Sequence, residues 1–366
     1  MPTLNSGPGK RPLLVVVLLA LVMMLATACQ TIPNGPDIID VTATPAVTPT
    51  SSIPSPSPTP VTTPRQSSIA QVVPPRAQSS MAYDEKSTTT ILFGGDNLMD
   101  TWSWDGQNWN QLYPASVPPA RSEASMAYDA DNGQIVLFGG IGTTGYPLND
   151  TWIWNGNNWI PIYPATSPSP RAQASMVYDA ALQRIVLFGG MVAGGGGLTS
   201  TVGDTWTWDG TNWTQLQPAL SPPARAQSSM TYDAIHRQVV LFGGFSGNGV
   251  MNDTWTWDGT KWVQQHPRAV PPSRAGASLL YDDALRQSVL FAGVAEPKVG
   301  DLHDTWLWDG TNWTQKAVQS TPSGFYTVAA YSTTQQKIVA YVVHLVDKTV
   351  SNSETWLWDG HAWTVY

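Results

Sequence analysis

Tryptophan and polar residues alternate in one short stretch that recurs six times along the chain. The third copy reads Asp204-Thr-Trp-Thr-Trp-Asp-Gly-Thr-Asn-Trp213. Trp206 and Trp208 are two residues apart, so on a β-strand they point to the same face. The Asp-Gly dipeptide that follows favours a tight turn, after which Trp213 begins a returning strand. Each copy therefore predicts a β-hairpin with one aromatic face. The copies span residues 100–109, 150–159, 204–213, 253–262, 304–313 and 354–363, and they contain all 18 tryptophans.

Two further strands precede each hairpin. In the third unit, the segment that begins at Arg171 ends in Tyr178 and Asp179, and the apolar run 185–188 follows it. We name these strands A and B, and the two hairpin strands C and D. A lone hairpin cannot bury its aromatic face in water, so the units must pack on one another. Four strands per repeat at a period of about 50 residues predict an all-β, six-bladed β-propeller. The units open at Arg76, Arg121, Arg171, Arg225, Arg274 and Gly324.

An apolar run ending in two glycines closes strand B of the first four units. It reads Leu92-Phe-Gly-Gly95 in the first unit, weakens to Phe291-Ala-Gly293 in the fifth and becomes Tyr341-Val-Val343 in the sixth. Together with the spaced aromatics and the opening arginine, this run resembles the kelch repeat, as found in the central propeller of galactose oxidase. The resemblance implies a six-bladed kelch-type propeller with four antiparallel strands per blade over residues 67–366. We expect residues 68–73 to add to a sheet edge near the ring closure.

The N-terminus has the layout of a secretory signal. Lys10 and Arg11 precede a nearly continuous apolar run that ends before Cys29. At about 16 residues this run is short for a membrane span, which needs roughly 20, and the layout is typical of a signal peptide over residues 1–28. The ending resembles a bacterial lipobox, which implies lipid attachment at Cys29 and a tether to the cell membrane. Ordinary cleavage after Ala28 with secretion, or an uncleaved anchor, are the alternatives.

Residues 29–66 are rich in proline, threonine and serine. So few apolar groups cannot offset the entropy lost on ordering. Proline holds such a segment extended. The segment is therefore predicted to be a disordered linker, which would act as a spacer between a lipid anchor and the propeller.

Composition narrows the function classes. The formal net charge is −8, and charged residues make up 12% of the chain. An acidic chain is a poor partner for nucleic acid. The chain has one cysteine, so an intramolecular disulfide is excluded.

The connection between strands B and C varies in length, whereas the other spacings are nearly constant. From the second glycine of strand B to the hairpin, the interval is 5, 10, 14 and 9 residues in the first four units. In an up-and-down blade, the B–C and D–A connections share one face, which we call the loop face. Binding residues concentrate on loops held by a rigid scaffold. We therefore expect a ligand there, in contact with Tyr146, Phe245 and His303. The alternative is neutral drift of loop length.

The repeated arginines lie near the same face and the mouth of the central channel. A ring of guanidinium groups there would suit an anionic or polyhydroxyl ligand. In the alternative interpretation, each arginine pairs with a repeated aspartate or stacks on a tryptophan, as part of the scaffold. The candidate residues are Arg76, Arg121, Arg171, Arg225 and Arg274.

The sequence offers no catalytic set. Galactose oxidase needs a Cys–Tyr crosslink, and the lone Cys29 lies at the end of the signal, which excludes that cofactor. The five histidines lack metal-ligand spacing, so we expect no metal and no cofactor. Glu123 stands two residues after Arg121, where aligned units carry glutamine. We therefore include it among the ligand-binding candidates, and a carboxyl there would also suit acid–base chemistry.

These observations favour an extracytoplasmic, membrane-tethered binding module without enzymatic activity. Its expected ligand is a carbohydrate or a protein. One alternative is a propeller enzyme of the sialidase or sugar-epimerase kind, and another is a structural surface protein without a small ligand. The tryptophans, which recur at fixed spacing in every unit, are interpreted as core between blades and not as a sugar platform.

Overall fold

The structure is a computed structural model, and it describes residues 72–194, 197–295, 301–322, 324, 326–346 and 349–366. The predicted signal peptide, Cys29 and the predicted linker lie outside the described residues. Within the described part of the chain, no helix is long and apolar enough to cross a membrane.

Four-stranded antiparallel sheets repeat along the chain, each built from strands A to D. Sheet I comprises β1 (Ser80–Asp84), β2 (Thr89–Phe93), β3 (Thr101–Trp104) and β4 (Trp109–Leu112). The next unit contains β5 (Arg121–Ser122), β6 (Ser125–Asp129), β7 (Gln134–Phe138), β8 (Ile141–Gly142), β9 (Thr151–Trp154) and β10 (Trp159–Ile162). The third contains β11 (Arg171–Ala172), β12 (Ser175–Asp179), β13 (Arg184–Phe188), β14 (Met191–Gly194), β15 (Gly197–Thr201), β16 (Thr205–Trp208) and β17 (Trp213–Leu216). Sheet II is β6-β7-β9-β10, and sheet III is β12-β13-β16-β17.

The remaining units follow the same order. The fourth contains β18 (Ser229–Asp233), β19 (Gln238–Phe242), β20 (Phe245–Ser246), β21 (Gly249–Val250), β22 (Thr254–Trp257) and β23 (Trp262–Gln265), and sheet IV is β18-β19-β22-β23. Sheet V comprises β24 (Ser278–Asp282), β25 (Gln287–Phe291), β26 (Thr305–Trp308) and β27 (Trp313–Lys316). Sheet VI comprises β28 (Tyr326–Ser332), β29 (Lys337–Val346), β30 (Thr349–Trp358) and β31 (Trp363–Val365). The predicted all-β repeat of four antiparallel strands is confirmed.

The A strands of successive sheets contact one another and close a ring. β6 contacts β1 and β12, β18 contacts β12 and β24, and β28 contacts β24 and β1. Strands B, C and D follow in order away from these contacts. This is the arrangement of a β-propeller, with the A strands around the axis and the D strands at the rim.

The tryptophans pack between neighbouring sheets, as their spacing predicts. In each hairpin the last tryptophan begins strand D. Its Nε1 donates a hydrogen bond to the hydroxyl of a threonine in strand C of the preceding sheet. The distances are 2.9–3.0 Å throughout. The bond from Trp109 to Thr355 joins sheet I to sheet VI, so the same Trp–Thr hydrogen bond links every pair of neighbouring sheets. The other pairs are Trp159–Thr101, Trp213–Thr151, Trp262–Thr205, Trp313–Thr254 and Trp363–Thr305.

The segment before strand A of sheet I lies at the ring closure but is not a strand. Val73 is buried in a cluster that includes Trp104 and Val339. The carbonyl of Pro74 accepts a hydrogen bond from the Tyr341 hydroxyl at 3.1 Å. Residues 68–71 of the predicted edge segment lie outside the described residues.

Candidate functional site

The loop face is built by backbone hydrogen bonds between consecutive units. In four units the N–H of the opening arginine donates to a carbonyl in the B–C connection of the preceding sheet, as Arg121 does to Leu98 at 3.1 Å. In three D–A connections the first half lies elsewhere, against the C–D turn of the next sheet. The Ala115 N–H, for example, donates to Asn158 Oδ1 at 2.7 Å. The loop face therefore consists of the B–C connections and the second half of the D–A connections.

The three predicted loop residues have different environments. Tyr146 is 63% exposed, and His303 is also exposed. Phe245 is 8% exposed, and it packs in a small cluster with Met191 and Leu198. This cluster joins residues of the B–C connections to the alanines that follow three opening arginines, Ala172, Ala226 and Ala275. Tyr146 and His303 are therefore placed to meet a ligand, whereas Phe245 supports the loops from within.

The five opening arginines are buried and paired with aspartates. Arg121 donates from both terminal nitrogens to the two carboxylate oxygens of Asp150, each at 2.7 Å. Burial acts to raise the pKa of Asp150, but the hydrogen bond and charge of Arg121 outweigh it and hold the pKa below its usual value. This geometry agrees with the interpretation of the arginines as part of the scaffold, each paired with a repeated aspartate. The other pairs are Arg76–Asp100, Arg171–Asp204, Arg225–Asp253 and Arg274–Asp304.

Sheet VI lacks this pair. Gly324 stands at the arginine position, where a Cβ would lie 2.6 Å from the carbonyl oxygen of Val343, so a side chain does not fit. Glu354 replaces the aspartate and still accepts the Trp356 Nε1 at 2.9 Å. Its second neighbour is His344, whose Nε2 lies 3.2 Å from Glu354 Oε2.

The residues two positions after the opening residues form a ring around the axis, which we call the axial ring. Glu123 N–H donates to the Gln78 carbonyl at 2.9 Å, and the same backbone bond recurs from Gln173 to Glu123, from Gln227 to Gln173 and from Gly276 to Gln227. The five residues joined by these bonds have positive φ, between 52° and 66°. The members of the axial ring are Gln78, Glu123, Gln173, Gln227, Gly276 and Tyr326.

Glu123 is the buried carboxyl of this ring. It is 9% exposed. Its Oε1 accepts from Gln78 Nε2 at 2.5 Å, and the Gln173 side chain lies within hydrogen-bonding reach of the same carboxyl. Burial raises the pKa of Glu123 to about 7, although Gln173 and Gln78 act to lower it. Glu123 is therefore an enclosed carboxyl between two glutamine side chains, with its pKa raised by burial.

Two further titratable groups lie close to Glu123. Burial, with the nearby Glu123 and Asp96 carboxylates, raises the pKa of Tyr326. Burial likewise raises the pKa of Asp96, which accepts a hydrogen bond from the Ala77 N–H at 2.9 Å. Asp96 belongs to the B–C connection of sheet I, so a loop carboxylate stands close to the ring.

A central cavity of about 490 Å³ lies between the A strands. Its lining starts one residue beyond the axial ring, so the ring borders its loop-face end. Six tyrosines lie toward the opposite end, and the Tyr83 hydroxyl bonds Thr334 Oγ1 at 2.7 Å. Glu85 and Asp283 also line the cavity, and burial, followed by the charge of Asp283, raises the pKa of Glu85.

Sequence reasoning found part of this arrangement. Glu123 stood out because aligned units carry glutamine. Tyr326 and Gly276 were missed, although counting two residues from Gly324 and Arg274 finds them. Asp96 could not be found by comparing repeats, because the B–C connections differ in length and do not align. Among the described residues, no group of three or more His, Cys, Asp or Glu is arranged to hold a metal ion.

Comparison with known proteins bears on the fold. No protein-family model and no curated protein matches the chain. Among solved structures, the one described as "Structure of YjhT" is similar, with a TM-score of 0.62 and 16% sequence identity. The match covers 81% of this chain and 99% of that chain. At this identity the likeness shows the fold alone: an all-β repeat of four-stranded sheets arranged as in a β-propeller.

Proposed function

We propose that the chain is a six-bladed kelch-type propeller that acts as an extracytoplasmic binding module tethered to the membrane through Cys29. It binds a carbohydrate or a protein on the loop face. The observation that carries this proposal is the axial ring. There the repeat of glutamines is broken by Glu123, Gly276 and Tyr326.

The rest of the molecule supports a scaffold role. Six Trp–Thr bonds of 2.9–3.0 Å link neighbouring sheets, and the opening arginines form ion pairs with aspartates. Such positions repeat because every sheet needs them. Variation at the axial ring and in the B–C connections has no comparable packing reason, which favours a role in recognition.

Binding of the full chain, purified in detergent, to a glycan array and to solubilised surface proteins tests the proposal. We expect Tyr146→Ala and His303→Ala to weaken binding about tenfold without changing the unfolding midpoint. Phe245→Ala should lower stability, because it removes a buried side chain. Ile235→Ala, an exposed change in an A–B turn, is the control. Equal binding by the Tyr146, His303 and Ile235 variants would place the ligand elsewhere.

A second candidate is a propeller enzyme, and Glu123 favours it. A buried carboxyl with a pKa of about 7 suits general acid or base catalysis. A sialidase-like arginine triad is not supported, because the repeated arginines are paired. Turnover of any glycoside or sugar in an activity screen, lost in Glu123→Gln, would favour the enzyme over the binding module.

A further inference from the structure

Four asparagines of the chain are followed directly by glycine, at positions 34, 132, 155 and 248. In this dipeptide an asparagine side chain reacts readily with its own backbone, because glycine has no Cβ to shield the attacking nitrogen. Asn34 lies outside the described residues. The other three asparagines are all exposed, so access to solvent does not distinguish them.

Hydrogen bonds hold the side chains of two of these asparagines. Asn132 Nδ2 donates to Asp129 Oδ2 at 2.9 Å. Asn155 Oδ1 accepts from the backbone N–H groups of Asn157 and Asn158 at 3.0 and 2.9 Å. Each of these side chains must give up its hydrogen bonds before its Cγ can turn toward the nitrogen of the following glycine.

The side chain of Asn248 has no such restraint. Asn248 lies at the tip of the β20–β21 hairpin, in the B–C connection of sheet IV. Its backbone N–H donates to Ser246 Oγ at 3.2 Å, whereas its side chain forms no hydrogen bond with another described residue. A Cβ at the neighbouring Gly247 would meet no atom within 4 Å. The Asn248 side chain is therefore free to change its rotamer.

The hairpin that carries Asn248 is short. Two residue pairs hold it, Phe245–Val250 and Ser246–Gly249. An isolated two-stranded ladder is marginally stable in water, and local opening costs less free energy than global unfolding. Opening of the Ser246–Gly249 pair frees the Gly249 nitrogen to approach the Asn248 side chain.

We propose that Asn248 is a site of spontaneous deamidation, which adds a negative charge to the loop face. The Gly249 nitrogen bonds to Asn248 Cγ, the Cγ–Nδ2 bond breaks, and Nδ2 leaves as ammonia with the proton that the Gly249 nitrogen gives up. Water then opens the cyclic imide at either carbonyl. The products are aspartate and isoaspartate, and isoaspartate also lengthens the backbone of the turn. The loop face at sheet IV thus changes in charge and shape as the molecule ages.

Peptide mapping by mass spectrometry tests the proposal on the full chain, incubated folded in detergent at pH 8. We expect Asn248 to react about tenfold faster than Asn132 and Asn155, whose side chains are held by hydrogen bonds. In urea, where those bonds are lost, the three positions should react at similar rates. Asn248→Gln should remove the product at this position, because the longer side chain closes a ring more slowly, and should leave the other two rates unchanged.

Unfolding midpoints of the wild type and of Asn248→Gln establish that the compared chains are folded. Equal rates at the three positions in the folded chain would overturn the inference. So would a faster reaction at Asn132 or Asn155, or an absence of product at position 248 under conditions in which the chain in urea reacts there. The reaction is measured on the chain alone, so its outcome is independent of the proposed binding function.

Discussion

At the residue scale, Glu123 differs from its counterparts in sheets I, III and IV by one chemical group. Gln78, Gln173 and Gln227 carry amides at the same backbone position, with the same positive φ. A glutamine at 123 would therefore fit the local conformation. Burial disfavours the charged form of the Glu123 carboxyl, so the free energy of unfolding should depend on its protonation state.

Glu123→Gln should change how stability depends on pH. The folded-state pKa of about 7 lies above the ordinary 4.5. Between these values the folded chain holds a proton that the unfolded chain has released, so stability falls as pH rises from 4.5 to 7. The Glu123→Gln variant has no carboxyl at this position and does not lose this stability as the pH rises. We expect its stability advantage to grow from pH 5 to pH 8, to on the order of 3 kcal/mol.

Urea unfolding at pH 5, 6, 7 and 8 measures this difference. Asp96, whose pKa burial also raises, is present in both chains and cancels in the comparison. A stability difference independent of pH would show that Glu123 titrates normally in the folded chain.

The buried ion pairs are a second effect at this scale. Arg225→Met leaves the Asp253 carboxylate without its partner, and we expect a loss of about 3–5 kcal/mol. Adding Asp253→Asn should recover part of that loss, because the unpaired charge is then removed. Arg268→Met, at an exposed arginine, should stay within about 0.5 kcal/mol of wild type. Additive losses in the double variant would argue against coupling between Arg225 and Asp253.

At the element scale, the bond between neighbouring sheets depends on one hydroxyl. Thr151 accepts from Trp213 Nε1 at 2.9 Å, and both residues are buried. Thr151→Val keeps the shape of the side chain but leaves the indole N–H unsatisfied, at an expected cost of about 1–3 kcal/mol. Thr151→Ser retains the hydroxyl and should cost clearly less. Chemical denaturation of the two variants ranks them, and the opposite order would contradict a role for this hydrogen bond.

The regular elements were predictable because the repeat constrains them. Strand pairing places Trp208 opposite Trp213, as the hairpin pattern requires. The short strands β14, β15, β20 and β21 were not predicted. They lie in B–C connections of differing length, where no second copy reveals a period.

The same limit applies to the candidate site. The sequence predicts that Phe245 contacts a ligand, yet its side chain is buried in a cluster with Met191, Leu198 and the alanines that follow the opening arginines. Such contacts join residues distant in sequence, and no local pattern reports them. Glu123 was accessible to sequence reasoning because it breaks a repeat, which a residue within an unaligned loop cannot do.

At the scale of the whole molecule, the proposed tether is a property of residues before the sheets. If Cys29 carries lipid, Cys29→Ser should lose label from radioactive palmitate and leave the membrane fraction. The chain has a single cysteine, so this substitution removes no thiol from the described sheets. A wild-type chain without lipid label in the soluble fraction would indicate ordinary signal cleavage. Retention of the Cys29→Ser chain in the membrane would indicate an uncleaved anchor.

The bond from Trp109 to Thr355 joins the first sheet to the last at 2.9 Å, like the bonds between covalently connected sheets. Val73 and Tyr366 also pack at this junction, both against residues around Trp104. The contacts between the first and the last sheet thus resemble those between other neighbouring sheets, and this junction differs from the others only in lacking a covalent connection. A circular permutant opened in another D–A connection, with residues 72 and 366 joined, should form the same sheets. Each sheet, a contiguous segment of sequence, is a unit that gene duplication can copy whole.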